Sequence, residues 1–388
     1  MHHHNVRLLS IFNFMIGFSL FAPLAIVYFS RVSGSYALGA SIFGITMLAS
    51  AVFEVPTGVW SDRMGRRKTI ILGSWSRVLA YIFYALGLSY WFLTIGAILE
   101  GLSRAFYSGN NDALLHDTLA DDNLADDYDV YLGKTSAAEQ LALALSATLG
   151  GIIASFSFSW LLWISVFAQA VVLLLSYKFI EPRKRSTVEQ NVYVHIKEAF
   201  NLFVKNRKLR LLSLASIATF SLNEIMYQFR AAFIVTVWPL WAVGFANTIP
   251  NLGATWSFYY GGQIIRRFGA MTVLLFKTIW GKFIGLISYG FPSVLSPILT
   301  STGSLMYGAG EVAEKSLMQK EFSDKERATM SSLNTFGGSI GFAIMSLILG
   351  GLADVFGPAR ALFILTIMGI PLIYMYWILF RREQRLVP

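Results

Sequence analysis

The sequence predicts an all-α membrane protein with twelve transmembrane helices in two pseudo-symmetric six-helix bundles. Three observations carry that expectation. First, the 388 residues are 55% hydrophobic and only 14% charged, against roughly 25% charged in a soluble domain. So few charges cannot cover a water-facing surface, whereas lipid contacts apolar side chains without cost. Second, long apolar runs succeed one another along the chain, separated by short charged turns. Third, the turn Gly58-Val59-Trp60-Ser61-Asp62-Arg63-Met64-Gly65-Arg66-Arg67 returns in degraded form 204 residues later (58 to 262) as Gly262-Gln263-Ile264-Ile265-Arg266-Arg267-Phe268-Gly269. Both copies read G-x-x-x-(D/R)-R-x-G between two apolar runs. That pattern marks two homologous membrane halves, an architecture of solute carriers.

A spanning helix takes about 20 apolar residues, so twelve use roughly 240 and leave only short loops and one longer linker. The runs lie near 7–30, 37–58, 68–88, 91–114, 135–155, 160–178, 210–231, 237–262, 270–290, 295–318, 327–350 and 358–380. The expected domains are an N-terminal bundle at 1–178, a cytoplasmic linker at 179–209 and a C-terminal bundle at 210–388. The linker holds Glu181-Pro182-Arg183-Lys184-Arg185 and an amphipathic piece from Val192 to Val204, read partly as an interfacial helix. The first run is too long for the apolar core of a signal peptide and is read as a retained helix; His2, His3 and His4 receive no role.

Orientation follows from lysine and arginine in the loops. With the N-terminus inside, the even loops and both ends hold about 23 basic residues, and the odd loops hold about 3: Arg31, Arg230 and Arg360. Both termini are therefore expected in the cytoplasm and the chain in the plasma (bacterial inner) membrane. The net charge of +9 then reports topology and not nucleic-acid binding, because the basic residues occupy loops of one parity. Helix signals agree. Ser323-Asp324-Lys325-Glu326 has the form of a capping box. The Gly-Gly pairs at 150–151, 337–338 and 350–351 suit close helix packing.

Several chemistries are excluded. Without cysteine there is no disulfide, thiol catalysis or cysteine metal site. No P-loop supports ATP hydrolysis, and no H-E-x-x-H or paired His–acid spacing suggests a metal. His116 and His195 stand alone as solvated loop residues. Neither an enzyme nor a cofactor is expected.

The runs Glu54-Val55-Pro56-Thr57-Gly58 and Asp62-Arg63-Met64-Gly65-Arg66-Arg67 resemble motif A of the major facilitator superfamily. Ser108 to Asp117 is similar to the end of helix 4 in a bacterial branch of that superfamily, and Glu326 to Ser332 to the start of its helix 11. On the residues themselves, Gly58 lets helix 2 approach a neighbour, Gly65 permits a tight turn, and Asp62 and Arg66 are spaced to pair. The resemblance implies that Asp62 also faces the N-terminus of helix 11 across the halves, where the helix dipole favours a carboxylate. Asp112 and Asp117 are candidates to take Arg66 in a charge relay. Such a cluster latches the cytoplasmic side shut; the plainer alternative is a positive-inside anchor that only fixes topology. In the second copy Arg266 replaces the aspartate. Arg266 and Arg267, ahead of Gly269, are expected either to bridge to the acidic loop of Asp117, Asp121, Asp122, Asp126, Asp127 and Asp129 or to remain independently solvated.

Ionisable side chains at membrane depth cost at least about 2.5–3.5 kcal/mol each and normally face a cavity or a partner. Helix 4 carries Glu100 and Arg104, followed on the same face by Tyr107, Ser108 and Asn111. The superfamily lines its cavity with helices 1, 4, 7 and 10, which would turn this stripe inward. Burial disfavours the Glu100 charge and Arg104 favours it, so Glu100 is either a titrating group or half of a static ion pair. Helix 7 adds Asn223, Glu224, Tyr227 and Gln228, helix 1 adds Asn13, and helix 10 adds Ser304, Tyr307 and Glu311. Aromatic walls with few carboxylates suit an amphiphilic or cationic organic solute. Glu54 is expected to pair with Arg77 or to sit between the halves. Lys277 is expected to snorkel and Glu139 to be interfacial, while Lys282 has no account.

The leading expectation is a monomeric, proton-coupled secondary carrier exporting a small organic solute, with the proton on Glu100 or Glu224 when the cavity is empty. Its partners are the lipid bilayer, the solute and protons. One alternative is uptake by proton symport, with Arg104 meeting an anionic group. The other is a non-transporting sensor or assembly protein on the same fold.

Overall fold

The computed structural model describes residues 4–122, 124, 128–182, 203, 207–320 and 324–384. Among them every regular element is helical. Three expected features lie outside the described residues: the linker helix at Val192–Val204 apart from residue 203, Asp126 and Asp127 of the acidic loop, and Ser323 of the capping box.

The chain divides into two compact units. Unit 1 is Met1–Glu189 with Leu240–Phe245, and unit 2 is Gln190–Pro239 with Ala246–Pro388. Unit 1 contains α1 (His4–Gly17), α2 (Ala25–Ser33), α3 (Tyr36–Met64), α4 (Arg66–Leu86), α5 (Tyr90–Tyr107), α6 (Asn110–Asp121), α7 (Tyr128–Phe156) and α8 (Phe158–Ser176). Unit 2 contains α9 (Arg207–Ile234), most of α10 (Val243–Phe268), α11 (Ala270–Gly290), α12 (Ser296–Ser301), α13 (Tyr307–Lys320), α14 (Asp324–Phe356), α15 (Pro358–Met368) and α16 (Pro371–Gln384).

Among the described residues, eight helical segments are long and apolar enough to cross a membrane. They are His4–Ser33, Tyr36–Met64, Arg66–Leu86, Phe158–Ser176, Leu209–Ile234, Ala270–Gly290, Leu333–Phe356 and Pro358–Arg381. The other four expected runs are helical but more polar or broken. The run at 91–114 carries Glu100 and Arg104 and breaks at Ser108–Gly109, and the run at 295–318 breaks into α12, a 3-10 turn at Thr302–Met306 and α13.

Within unit 1, α5 packs on α3 and α4 through small residues: a Cβ on Gly101 would lie 2.5 Å from the Thr46 carbonyl oxygen. Phe12, Ile70, Leu114, Leu119, Val172 and Phe179 form a buried core beneath the α3–α4 turn. Gly65, at that turn, has φ +99°, and Gly269, its counterpart before α11, has φ +82°. Both copies therefore use a glycine where an L side chain is strained, which explains why this residue survives in the degraded repeat.

The 204-residue offset extends well beyond the motif. In unit 1 the Thr57 hydroxyl donates to the Ala105 carbonyl at 3.0 Å. In unit 2 a Cβ on Gly261 would lie 3.2 Å from Ala309 Cα, the same two positions shifted (57 to 261, 105 to 309). The next crossing is complementary in size. A Cβ on Gly73 would meet Phe106 and Tyr107, whereas a Cβ on Gly310 would overlap the Lys277 stem. The bulk has changed helices between the halves (73 to 277, 106 to 310, 107 to 311).

The first apolar run breaks between α1 and α2, with a 3-10 turn at Ala22–Leu24. A Cβ on Gly150 of α7 would overlap the Leu20 carbonyl oxygen in this break. Gly150→Ala is expected to destabilise the protein by about 1–3 kcal/mol, the usual range for overpacking. Gly281→Ala, with none of the described residues within 4 Å of the added methyl, is expected to be neutral or stabilising. Thermal unfolding of both variants in detergent checks this; equal midpoints would refute it.

Candidate functional site

The first copy of the repeated turn builds a network around Arg66, which is buried at 7% exposure. Its guanidinium donates through Nη1 to Ser61 Oγ at 2.8 Å and Asp62 Oδ1 at 3.1 Å, and through Nε to Asp117 Oδ2 at 3.4 Å. Asp117 is 2% exposed. Ser61 Oγ donates to Asn110 Oδ1, and Asn110 Nδ2 donates to the Arg66 carbonyl at 3.1 Å. Helix geometry brings these groups together. Ser61 and Asp62 occupy the last turn of α3, Arg66 the first position of α4, and Asn110 and Asp117 are two turns apart on α6.

Of the two aspartates expected to take Arg66, Asp117 does so; Asp112 is exposed and forms no ion pair among the described residues. Asp62 keeps its side chain 48% exposed. The side chains at the start of α14, its expected partner, lie outside the described residues. Arg63 is exposed, and Arg67 donates to the Tyr177 carbonyl at 2.9 Å. Gly58 meets no neighbour among the described residues: none of them lies within 4 Å of a Cβ placed there. Gly58 instead lines a cavity of about 310 Å³ with Thr57, Ser61, Asp62, Ser108 and Asn110.

Glu181 was legible only as part of a polar linker. Its carboxylate accepts from the Arg66 and Arg67 backbone N–H groups, both at 2.8 Å. This caps α4, whose own N-cap residue, Gly65, has no side chain. A carboxylate at a helix N-terminus also meets the positive end of the dipole. In the second copy, Arg266 Nε donates to Gly262 O at 3.4 Å within its own helix, and Arg267 lies over the Phe268 ring. Neither forms an ion pair among the described residues, so the expected bridge to the acidic loop is not seen there.

Along α5, Glu100 accepts from Arg104 Nη2 at 2.7 Å and from Arg104 Nε at 3.2 Å. Tyr84 OH donates to its other oxygen at 2.9 Å. Glu100 is thereby fixed on both oxygens. Tyr107 departs from the expected stripe role: its hydroxyl bonds Ser74 at 2.9 Å and its ring packs edge-on to Phe12. Asn13 is half-buried on α1 and makes no hydrogen bond among the described residues.

Unit 2 holds a second polar cluster. Gln228 Nε2 donates to Glu224 Oε1 at 2.8 Å along α9. Lys277 of α11 pairs with Glu311 of α13 at 3.0 Å and lies 5.3 Å from the Tyr307 ring centroid. Glu224, Tyr227 and Glu311 all reach Tyr307 electrostatically, and Tyr227 and Tyr307 are exposed. Lys277 thus does not snorkel to the surface; it neutralises Glu311.

Other cations also sit differently from expectation. Arg77 bonds Gln169 Oε1 at 2.9 Å and not Glu54, which accepts from Ser108 Oγ at 3.3 Å. Arg230 is inside α9, not in a loop, and donates to the Pro297 carbonyl at 2.9 Å and Ser301 Oγ at 2.8 Å. Lys282 is buried with its ammonium against Gly369, where the chain breaks between α15 and α16. His116 lies on α6 and not in a loop; its side chain is 50% exposed, with Nδ1 3.6 Å from Asp117.

The family model for the Major Facilitator Superfamily matches residues 7–320. An uncharacterised transporter of Buchnera aphidicola subsp. Acyrthosiphon pisum is 28% identical over 200 residues, so that match spans 50% of this chain and 48% of the relative. A class H tetracycline resistance protein of Pasteurella multocida is 22% identical over 354 residues, 86% of this chain and 85% of the relative. The crystal structure of a point mutant of the nucleoside transporter NupG superposes with a TM-score of 0.85 at 13% identity, covering 97% of this chain and 100% of that one.

Proposed function

The chain belongs to the Major Facilitator Superfamily, and from that premise we propose that it is a proton-coupled exporter of an amphiphilic or cationic organic solute. Two halves of six helices each alternate access to a central site. The protein works as a monomer in the plasma membrane, with both termini in the cytoplasm. One observation carries the reading. Glu100 is matched by Arg104 and Glu311 by Lys277, but among the described residues no cation pairs with Glu224, which accepts only from the neutral Gln228 amide. A carboxylate at membrane depth without a cation holds a proton or a positively charged solute. Competition for that position is the basis of antiport. Tyr227 and Tyr307, both exposed, supply faces that attract a cation.

The inner turn serves as the latch. Arg66, Asp117, Ser61, Asn110 and Glu181 make its rigid body, and Asp62 keeps a half-exposed carboxylate at its edge. Arg63, Arg67, Arg266 and Arg267 anchor the cytoplasmic face, and Gly65 and Gly269 set the two turns. The resistance-protein relative supports outward transport.

The test uses proteoliposomes with an imposed pH gradient and ethidium as the probe cation. Wild-type protein is expected to move ethidium against the proton gradient. Glu224→Gln is expected to remove at least about 90% of the gradient-driven flux with folding intact, whereas Glu100→Gln is expected to lose less, because its charge is already balanced by Arg104. Undiminished gradient-driven flux in Glu224→Gln would sink the assignment.

A further inference from the structure

The break between α1 and α2 is surrounded by an arrangement that the reading above leaves unused. Phe18 N–H still bonds Phe14 O, but Ser19 N–H turns to Gly17 O at 2.8 Å. The Ile16 carbonyl loses its helical donor and accepts from Arg77 Nη2 instead, at 3.5 Å. Arg77 is buried at 8% exposure. Its Nε donates to Gln169 Oε1, and its guanidinium lies 5.6 Å from the Tyr81 ring centroid. Tyr81 in turn bonds Ser19 Oγ in the break at 2.7 Å. These bonding and ring partners of the buried cation are all neutral, and from α5 the charge of Glu100, already paired with Arg104, also reaches it.

Glu139 stands on the other side of the same break. A Cβ on Gly17 would lie 2.8 Å from the Glu139 carbonyl oxygen and 3.0 Å from its Cγ. Gly17 is midway along the candidate span His4–Ser33, so Glu139 is not the interfacial residue that its place in the sequence suggested. It is half-buried, and among the described residues its carboxyl forms no hydrogen bond or ion pair. The charges that reach it are Arg77 and Asp112. Of the elements packed on α7, α8 and the 3-10 turns at Ala22–Leu24 and Leu240–Ala242 carry no ionisable side chain. The α1 helix brings only His4 and Arg7, at its far end, and α6 brings Asp112, His116, Asp117 and Asp121.

A buried guanidinium and a carboxylate within reach of each other pair when both are charged. Arginine does not give up its proton in a protein. The unpaired arrangement therefore describes Glu139 in its neutral form. We propose that Glu139 is a second proton-binding site and that Arg77 is the group it controls. Protonated, Glu139 leaves Arg77 on the Ile16 carbonyl and the break is held. On losing its proton to water, it draws Arg77 away, and the freed Ile16 carbonyl lets the helix re-form across the break. This gives the proton of the proposed exporter a place in unit 1, and for its role in transport it rests on that reading.

The chain has no cysteine, so Phe18→Cys provides a single site for a nitroxide spin label in the break. The full-length labelled protein is titrated from about pH 5 to pH 9 in lipid vesicles without solute, and the line shape is followed. Wild type is expected to pass between two spectra with the steepness of one proton. Glu139→Gln is expected to keep the acid spectrum at every pH, and Arg77→Gln to show a pH-independent spectrum. Asp112→Asn, Glu100→Gln and Glu224→Gln are expected to titrate as wild type does. If Glu139→Gln folds poorly, Glu139→Asp is expected to retain the titration with a displaced midpoint. An invariant wild-type spectrum, a titrating Glu139→Gln, or loss of the titration in Asp112→Asn overturns the proposal. Because the readout is a line shape and not flux, failure of the Glu224 assignment leaves this result unaffected, and the reverse holds.

Discussion

Asp117→Ala is expected to lower stability by about 3–5 kcal/mol, the cost of breaking a buried ion pair by removing one partner. The reason lies in what remains. Arg66 stays at 7% exposure with its charge. Its remaining named side-chain acceptors are the Ser61 hydroxyl and the carboxylate of Asp62, which is 48% exposed and weakened by water. The Nε side of the guanidinium loses its charged acceptor. Asp117→Asn keeps an oxygen acceptor and is expected to lose less. Arg66→Lys keeps the charge but cannot reach Ser61, Asp62 and Asp117 from one planar fork, and is expected to fall between the two. Asp112→Asn, at an exposed carboxylate a little over one turn away, serves as the control and is expected to be within about 0.5 kcal/mol of wild type, as surface changes usually are. Thermal unfolding in detergent ranks the four variants; an Asp117→Ala midpoint equal to that of Asp112→Asn would show that the network does not hold the turn.

The second large effect is expected at Lys277 and Glu311. Lys277 lies within the candidate span Ala270–Gly290 with its side chain 10% exposed, and the Glu311 side chain is 29% exposed. Removing either alone leaves the other unbalanced, at a cost of about 2.5–3.5 kcal/mol on the insertion scale. Removing both is expected to cost clearly less than the sum, with a coupling of about 1–3 kcal/mol. The protein already contains an uncharged solution of the same crossing, since Gly73, Phe106 and Tyr107 occupy the corresponding places in unit 1. The triple variant Lys277→Gly, Gly310→Phe, Glu311→Tyr transplants that solution. It is expected to be more stable than either single alanine variant and to bind no cation at this crossing. If the two single variants and the Lys277→Ala/Glu311→Ala double variant are additive, the ion pair contributes nothing and the pairing argument fails.

The parts of the molecule that could be read without coordinates share a property: they depend on residues close in sequence or on averages over many residues. Apolar runs, the glycine-bounded turn and its copy, and the i,i+4 pairs Asp62–Arg66, Glu100–Arg104 and Glu224–Gln228 are all local. The misses share the opposite property. Glu181 lies 115 positions from the Arg66 N–H it caps, and no local pattern distinguishes it from its basic neighbours in a linker. Arg77 is 92 positions from Gln169, and Glu54 was the more obvious guess only because it carries a charge. From sequence, Lys277 is expected to snorkel, Arg230 counts as a loop residue and Lys282 has no account. Lys277 and Arg230 instead find distant partners, Glu311 for the one and the Pro297 carbonyl with Ser301 for the other.

What the sequence by itself determined is the kind of molecule: a helical membrane protein built from a repeat, with a charged turn at a fixed place in each copy. Hydrophobic length and period set that, and both are properties of the chain alone. Only the tertiary structure decided which charges are balanced. Charge balance at membrane depth is fixed within a few ångströms by side chains from different helices, and a span without a nearby partner must choose among a break carbonyl, a proton and a bound solute. Among the described residues that choice left Glu224 and Glu139 without cations, while Glu100 and Glu311 received theirs.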